Sequence, residues 1–257
     1  MTTTTTRYEL RNTAAWITLD SPENRNALSA QLVSELGAHL RAAFDDPAVR
    51  TVVLTGNGPA FCAGADLKSR GDAVAPGSGG KNPFVEILRL MWDGPKPVIV
   101  AANGHAFGGG VGLVAAADIA IVADGATLSF SEVRIGVIPA MISVVVLPKL
   151  GVHHAMRLFL TGARFTAAEA REYGLAHRVV PLGELAAAVQ AEVDAIALGG
   201  PNAVREAKRL IRTVSKVSMD EGFAYAEGKI AELFASAEAA EGMMAFASKR
   251  KPSWAER

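Results

Sequence analysis

Hydrophobic and polar residues change period several times along the chain, and each change marks an element. Tyr8 to Leu10 and Ala14 to Leu19 are short extended runs, followed by the turn chemistry of Asp20-Ser21-Pro22-Glu23-Asn24. Leu32, Leu36, Leu40, Ala43 and Phe44 then fall at helical spacing behind Ser29, an N-cap residue flanked by Leu28 and Val33 as a hydrophobic staple. Thr51 to Thr55 is a short apolar run ending in Gly56-Asn57-Gly58-Pro59, the pattern of a buried strand feeding a loop. Phe84 to Trp92 returns to helical spacing, while Pro97 to Ala102 and Asp118 to Val122 read as further buried strands. Between those two strands, the stretch from Val111 onward is apolar on every side, which only a buried helix satisfies. Strand, helix and strand in this order predict right-handed crossovers and a largely parallel sheet, hence an α/β fold.

From about residue 140 the texture turns helical. Thr166 with Glu169 forms a capping box behind Phe165. Pro201 opens a helix whose apolar stripe is Ala203, Val204, Ala207, Leu210, Ile211 and Val214, with Arg205, Lys208, Arg209 and Arg212 read as its solvated face. Ala176 to Val180 is the one further strand expected. Gly71 to Pro83 is rich in glycine and proline and reads as a loop of the length used for lids or disordered segments.

Composition narrows the function classes. Of 257 residues, half are hydrophobic and 20% charged, which excludes a disordered chain. Twenty-six Lys+Arg cancel 26 Asp+Glu, and the basic helix face carries no aromatic stacking platform, so no nucleic-acid partner is expected. No run of eighteen consecutive apolar residues occurs, and the start from Met1 through Thr6 lacks a basic flank with an apolar core, so neither a membrane partner nor a signal peptide is expected. Cys62 is the single cysteine; it fits a buried thiol in a reducing compartment, and a cytoplasmic protein is expected. His153 and His154 are adjacent and diverge on a helix, so no metal site is expected.

Two segments carry candidate chemistry. Asn103-Gly104-His105-Ala106-Phe107-Gly108-Gly109-Gly110-Val111-Gly112 precedes the buried helix. Consecutive glycines bring backbone N–H groups to a ligand without an intervening side chain, and the helix N-terminus adds positive potential: an anion or oxyanion site. The alternative is that the glycines only allow close packing. His105 beside them reads as a hydrogen-bonding or packing residue. The second segment, Phe61-Cys62-Ala63-Gly64-Ala65-Asp66-Leu67-Lys68, is again built from small residues. Its Ala65 N–H is free to face a ligand while Asp66 serves as a cap or internal acceptor. Two such loops at the ends of neighbouring strands place two donors around one oxygen.

Five segments in order resemble the crotonase superfamily, the enoyl-CoA hydratase/isomerase group. They are Ser21 to Leu28, Phe61 to Lys68, Lys96 through Gly112, Ser131 to Pro139, and the tail Phe246 to Trp254. The resemblance implies repeated ββα units forming a core sheet over 1–195 and a helical C-terminal trimerisation region over 196–257. It implies an acyl-CoA substrate, no cofactor beyond the coenzyme A of that substrate, and a homotrimer or homohexamer. It maps the oxyanion donors to Ala65 and Gly109. It draws the substrate-binding surface from Arg25, Ala27, Ala63, Ala65, Asp66, Leu67, Lys68, Gly109 and Lys249, with Arg25, Lys68 and Lys249 near the CoA phosphates.

Hydratases of this family use two glutamates. Here the first position holds Gly112 and the second holds Glu132, so one carboxylate is absent. The surroundings of Glu132, from Phe130 to Gly136 and on to Ser143, resemble a single-glutamate subgroup acting on branched or carboxylated enoyl-CoA, the methylglutaconyl-CoA-type hydratases. A carboxylate among apolar neighbours has a raised pKa and exchanges protons near neutrality, which assigns proton transfer to Glu132. The implied activity is an acyl-CoA lyase adding water to a 2-enoyl-CoA. The alternatives are a Δ3,Δ2-enoyl-CoA isomerase, which needs only one base, and thioester hydrolysis or decarboxylation on the same oxyanion hole.

Overall fold

The computed structural model describes residues 4–67 and 82–255. The central sheet has six strands: β1 (Thr6–Arg11), β2 (Ala14–Leu19), β3 (Thr51–Gly56), β5 (Val98–Ala102), β7 (Ile119–Ala123) and β10 (Arg178–Val180). They lie in the order β1-β2-β3-β5-β7-β10, antiparallel between β1 and β2 and parallel thereafter. The strands expected at Ala14, Thr51, Pro97 and Asp118 are all in this sheet. Their interiors, such as Val52, Val53 and Leu54, are fully buried, as a sheet covered on both faces requires. Helices α1 (Ala30–Asp45), α2 (Pro83–Asp93) and α3 (Gly109–Ala116) make the crossovers. Ser29 caps α1 by accepting the Leu32 N–H at 3.2 Å, as its sequence position predicts. α3 is apolar all round and buried on every side from Gly110 to Ala116.

A second sheet went unanticipated. It comprises β4 (Ala60–Cys62), β6 (His105–Phe107), β8 (Thr127–Ser129) and β9 (Arg164–Thr166), in the order β4-β6-β8-β9. β4, β6 and β8 run parallel, and β9 closes the edge antiparallel to β8. Each strand is only three residues long, too short to show a period of two. The expectation of one further strand, at Ala176 to Val180, is therefore corrected: that strand is β10, and the second sheet is additional.

The remaining helices are α4 (Ala140–Thr161), α5 (Ala167–Glu172), α6 (Leu185–Ala197), α7 (Pro201–Val214), α8 (Met219–Phe234) and α9 (Ala237–Ala247). α4 is long and apolar enough to cross a bilayer by length and composition, but it bends at Gly151 (φ +69°) and buries Ile142, Val145, Val146 and Leu150 in the core. The Thr166–Glu169 capping box opens α5 as expected, and Pro83, expected at the end of a loop, is instead the first residue of α2. The rest of that loop, from 71 to 81, lies outside the described residues.

α7 corrects a further expectation. Its cations are not a uniformly solvated face: the Lys208 and Arg212 side chains are only 9% and 18% exposed and pair with Asp118 at 2.8 and 3.0 Å. Ile211, assigned to the buried stripe, is 66% exposed. A helix that docks on carbonyls and a carboxylate at the end of a sheet buries its charges and leaves its aliphatic face outward.

Candidate active site

The small sheet organises the site. The C-terminal ends of its three parallel strands emerge side by side: β4 leads into Ala63-Gly64-Ala65, β6 into Gly108-Gly109, and β8 through Phe130 into Glu132. The Gly108 N–H donates to the Ser129 carbonyl at 2.9 Å, which fixes the glycine loop to the end of β8.

The first loop is held by backbone geometry. Leu28 N–H donates to the Gly64 carbonyl at 2.8 Å in a parallel bridge between Leu28 and Ala65. Because the peptide is planar and trans, the Ala65 N–H of the same unit points away from Leu28. Gly64, at φ +86°, lies against the second loop: a Cβ there would sit 2.7 Å from the Phe107 carbonyl oxygen and 3.4 Å from the Gly109 nitrogen. Only glycine permits this approach. Gly109 is the first residue of α3, so its N–H has no intrahelical acceptor, and its N-cap, Gly108, supplies no side chain. The strand ends thus place the two predicted donors, Ala65 and Gly109, on adjoining loops.

Glu132 opens a turn of 3-10 helix, Glu132–Ile135, closed by Gly136 in the left-handed region. Its carboxylate lies at the start of α3: a Cβ on Gly108 would sit 3.1 Å from Oε1. Oε2 is buried and has no hydrogen-bond partner among the described residues. The α3 N-terminus favours the anion. Burial nonetheless dominates and raises the Glu132 pKa above the ordinary carboxylate value. Phe130 anchors the loop in the core, its ring 4.7 Å from Phe159 and 5.8 Å from Phe165.

Gly112 shows why a second carboxylate is absent. A Cβ there would lie 2.3 Å from Ile142 Cγ2 on α4, with Leu88 of α2 behind it. Ile142 fills the space a side chain at 112 needs.

Other predicted residues divide. Arg25 is exposed, with φ +59°, and its carbonyl accepts the Ala63 N–H at 3.0 Å, so the Arg25 turn joins the first loop. Ala27 is buried beside it, Asp66 is half-buried and Leu67 exposed. Lys68 lies outside the described residues. Lys249 follows α9 and is exposed, with φ +51°. Cys62 is buried, its thiol pushed up to about 12 by desolvation, and it forms part of the core. His105 is exposed and bonds to the backbone, its Nδ1 accepting the Thr127 N–H at 3.1 Å.

Sequence reasoning missed the support. Buried Asn26 donates from Nδ2 to the carbonyls of Asn57, Ala60 and Phe61, while its Oδ1 accepts the Ser21 N–H. This staple joins the Ser21–Leu28 segment to β4. Its one signal was an amide in a segment of turn residues, the side chain suited to stand in for missing backbone partners. Leu28 and Phe84 close the space beside Gly109, where a Cβ would meet them at 2.6 and 3.3 Å.

Known proteins resemble this chain in sequence and in fold. Residues 9–257 match the enoyl-CoA hydratase/isomerase family. The carnitinyl-CoA dehydratase of Proteus mirabilis (strain HI4320) is 37% identical over 254 residues, covering 95% of each chain. An enoyl-CoA hydratase structure from Shewanella pealeana superposes with a TM-score of 0.91 at 31% identity, covering 97% of this chain and 96% of that one. One from Bacillus anthracis gives 0.89 at 32% identity, covering 98% and 100%. The chain belongs to the enoyl-CoA hydratase/isomerase family.

Proposed function

We propose that the protein is an acyl-CoA lyase that adds water to a 2-enoyl-CoA thioester, or removes it from the corresponding 3-hydroxyacyl-CoA. One observation carries this reading: three neighbouring strand ends bring together two small-residue loops and one carboxylate whose buried Oε2 has no hydrogen-bond partner among the described residues. The thioester carbonyl accepts hydrogen bonds from the Ala65 and Gly109 N–H groups. Glu132 takes a proton from water as the water oxygen bonds to C3. The electron pair of the C2–C3 double bond moves into the thioester as an enolate, which the two donors stabilise. Protonated Glu132 then returns the proton to C2, and the double bond has gained one water. A carboxylate with a raised pKa suits both halves of this exchange. Arg25, Lys68 and Lys249 are the cations we assign to the CoA phosphates. The relatives' names, dehydratase and hydratase, describe the same addition run in opposite directions.

A second reading rests on Gly112. With Ile142 in the place of a second carboxylate, the single glutamate also suits a Δ3,Δ2-isomerase, in which one base moves a proton between C4 and C2. Incubation with crotonyl-CoA, 3-methylglutaconyl-CoA and a 3-enoyl-CoA, followed by product mass analysis, separates the two. Gain of one water from a 2-enoyl-CoA supports the lyase; rearrangement of the 3-enoyl-CoA at constant mass supports the isomerase. Release of free CoA, or no reaction with any of them, contradicts both.

We also propose self-association into a homotrimer or homohexamer. Phe223, Ile230 and Phe234 on α8 and Phe246 on α9 are exposed in the single chain, a pattern that marks contact surfaces.

A further inference from the structure

Three helices begin around the two loops. α1 follows Leu28, the first turn of α2 sets Phe84 against Gly109, and α3 begins at Gly109. None of the three has a basic residue in its own last turn. Instead a distant lysine docks on the carbonyls at each far end. Lys96 Nζ donates to the carbonyls of Ala43 and Asp46 at the end of α1. Lys208 Nζ donates to the Met91 carbonyl of α2. Lys149 Nζ donates to Ala117, the C-cap of α3, at 2.6 Å. Positive charge at a helix C-terminus complements the macrodipole, whose other end here faces the site.

Lys149 is the member placed to act on catalysis. It lies on α4 between Pro148 and the bend at Gly151, and α4 grips α3 a second time where Ile142 packs on Gly112. We propose that Lys149 is a positioning residue for the oxyanion end of α3: its ammonium holds the Ala117 end of the helix and supplies the positive charge that α3 lacks, keeping the Gly109 N–H aimed and polarised. The inference rests on the oxyanion assignment above.

The groups facing Lys149 set its titration. Asp118, at the junction of α3 and β7, favours its charge, and Arg212 of α7 opposes it. Lys208 of α7 shares Asp118. His177, ahead of β10, accepts the Ala120 N–H and feels the charges of Lys149, Glu192 of α6 and Asp118. Burial and Arg212 bring the Lys149 ammonium down to about 8. The charge is present at neutral pH and is lost as pH rises past that value.

The test compares Lys149→Met and Lys149→Arg with the wild type in two measurements. The first is amide hydrogen exchange of the 109–117 segment without substrate at pH 7. The second is the pH profile of kcat and KM on whichever enoyl-CoA the protein turns over. Lys149→Met is expected to speed exchange in α3 and to lower kcat about three- to tenfold at pH 7 with KM little changed, the scale of a charge at a helix end. The wild-type kcat is expected to fall as pH rises past about 8, and Lys149→Arg, charged throughout, to lose that fall. Unchanged α3 exchange in folded Lys149→Met overturns the proposal, with or without a substrate in hand. Should Lys149→Met not fold, an alkaline fall in Lys149→Arg identical to the wild type overturns it. Faster α3 exchange in Lys149→Met supports the clamp even where the wild type turns over no enoyl-CoA, a result that counts against the acyl-CoA reading alone.

Discussion

The two sheets of this chain divide the labour unequally. The middle of the six-stranded sheet, β2, β3, β5 and β7, is built from runs of five or six residues with buried interiors, such as Val52 to Leu54 and Val98 to Ala102. The four-stranded sheet has three residues per strand, yet the ends of three of its strands hold Ala65, Gly109 and Glu132. Long strands fix stability through buried area, and short ones fix position through where they stop. The comparison predicts opposite phenotypes for substitutions in the two sheets.

The largest effect belongs to the loops of the small sheet. Gly109→Pro removes one oxyanion donor at the first residue of α3, where the ring also crowds Leu28 and Phe84, and turnover of the folded protein is expected to fall about 10²- to 10³-fold. Steady-state kinetics with circular dichroism checks it. A folded Gly109→Pro protein with wild-type turnover removes the donor from the mechanism. Leu54→Ala in β3 is the counterpart, expected to cost about 2–5 kcal/mol of stability while the folded fraction keeps its kcat. Chemical denaturation and kinetics on the same sample read both.

Gly112→Glu sharpens the boundary between stability and chemistry. Its new Cβ meets Ile142, so the variant is expected to lose about 1–3 kcal/mol through overpacking before any catalytic gain appears. Pairing it with Ile142→Ala recovers part of that loss if Ile142 is the obstacle. Thermal melts of the single and double variants decide.

The smallest effect concerns Glu132 and pH. A carboxylate whose pKa is raised in the folded state adds stability at pH below its ordinary value and loses that contribution as pH rises through the raised one. Above that raised value the ionised, half-buried group is a burden, so Glu132→Gln is expected to raise Tm slightly there, with the difference shrinking as pH falls through it. Melting curves from pH 4 to 7 check the sign.

Legibility in the sequence followed the same division. β2, β3, β5 and β7 were visible because each is a run long enough to show continuous burial, and α3 because it has no polar face at all. The two loops that carry Ala65 and Gly109, and the candidate carboxylate Glu132, were legible from small-residue segments and a resemblance. The second sheet was not, since three residues carry no period, and its strands are defined by pairing with segments more than twenty residues away. α7 misled because its spacing was correct while its direction was reversed: Lys208 and Arg212 face inward onto Asp118 and the ends of other elements. Neither the staple at Asn26 nor the fit of Ile142 over Gly112 exists until distant segments meet.

The most direct test of the central claim follows the proton. The wild type and Glu132→Gln are each incubated in D2O with a 2-enoyl-CoA, and the products are returned to H2O for mass analysis. The account predicts that the wild-type product gains water and one carbon-bound deuterium at C2, and that Glu132→Gln, which still binds the CoA ester, forms it about 10²- to 10⁴-fold more slowly. Deuterium reaching C2 at the wild-type rate in a folded Glu132→Gln protein contradicts it.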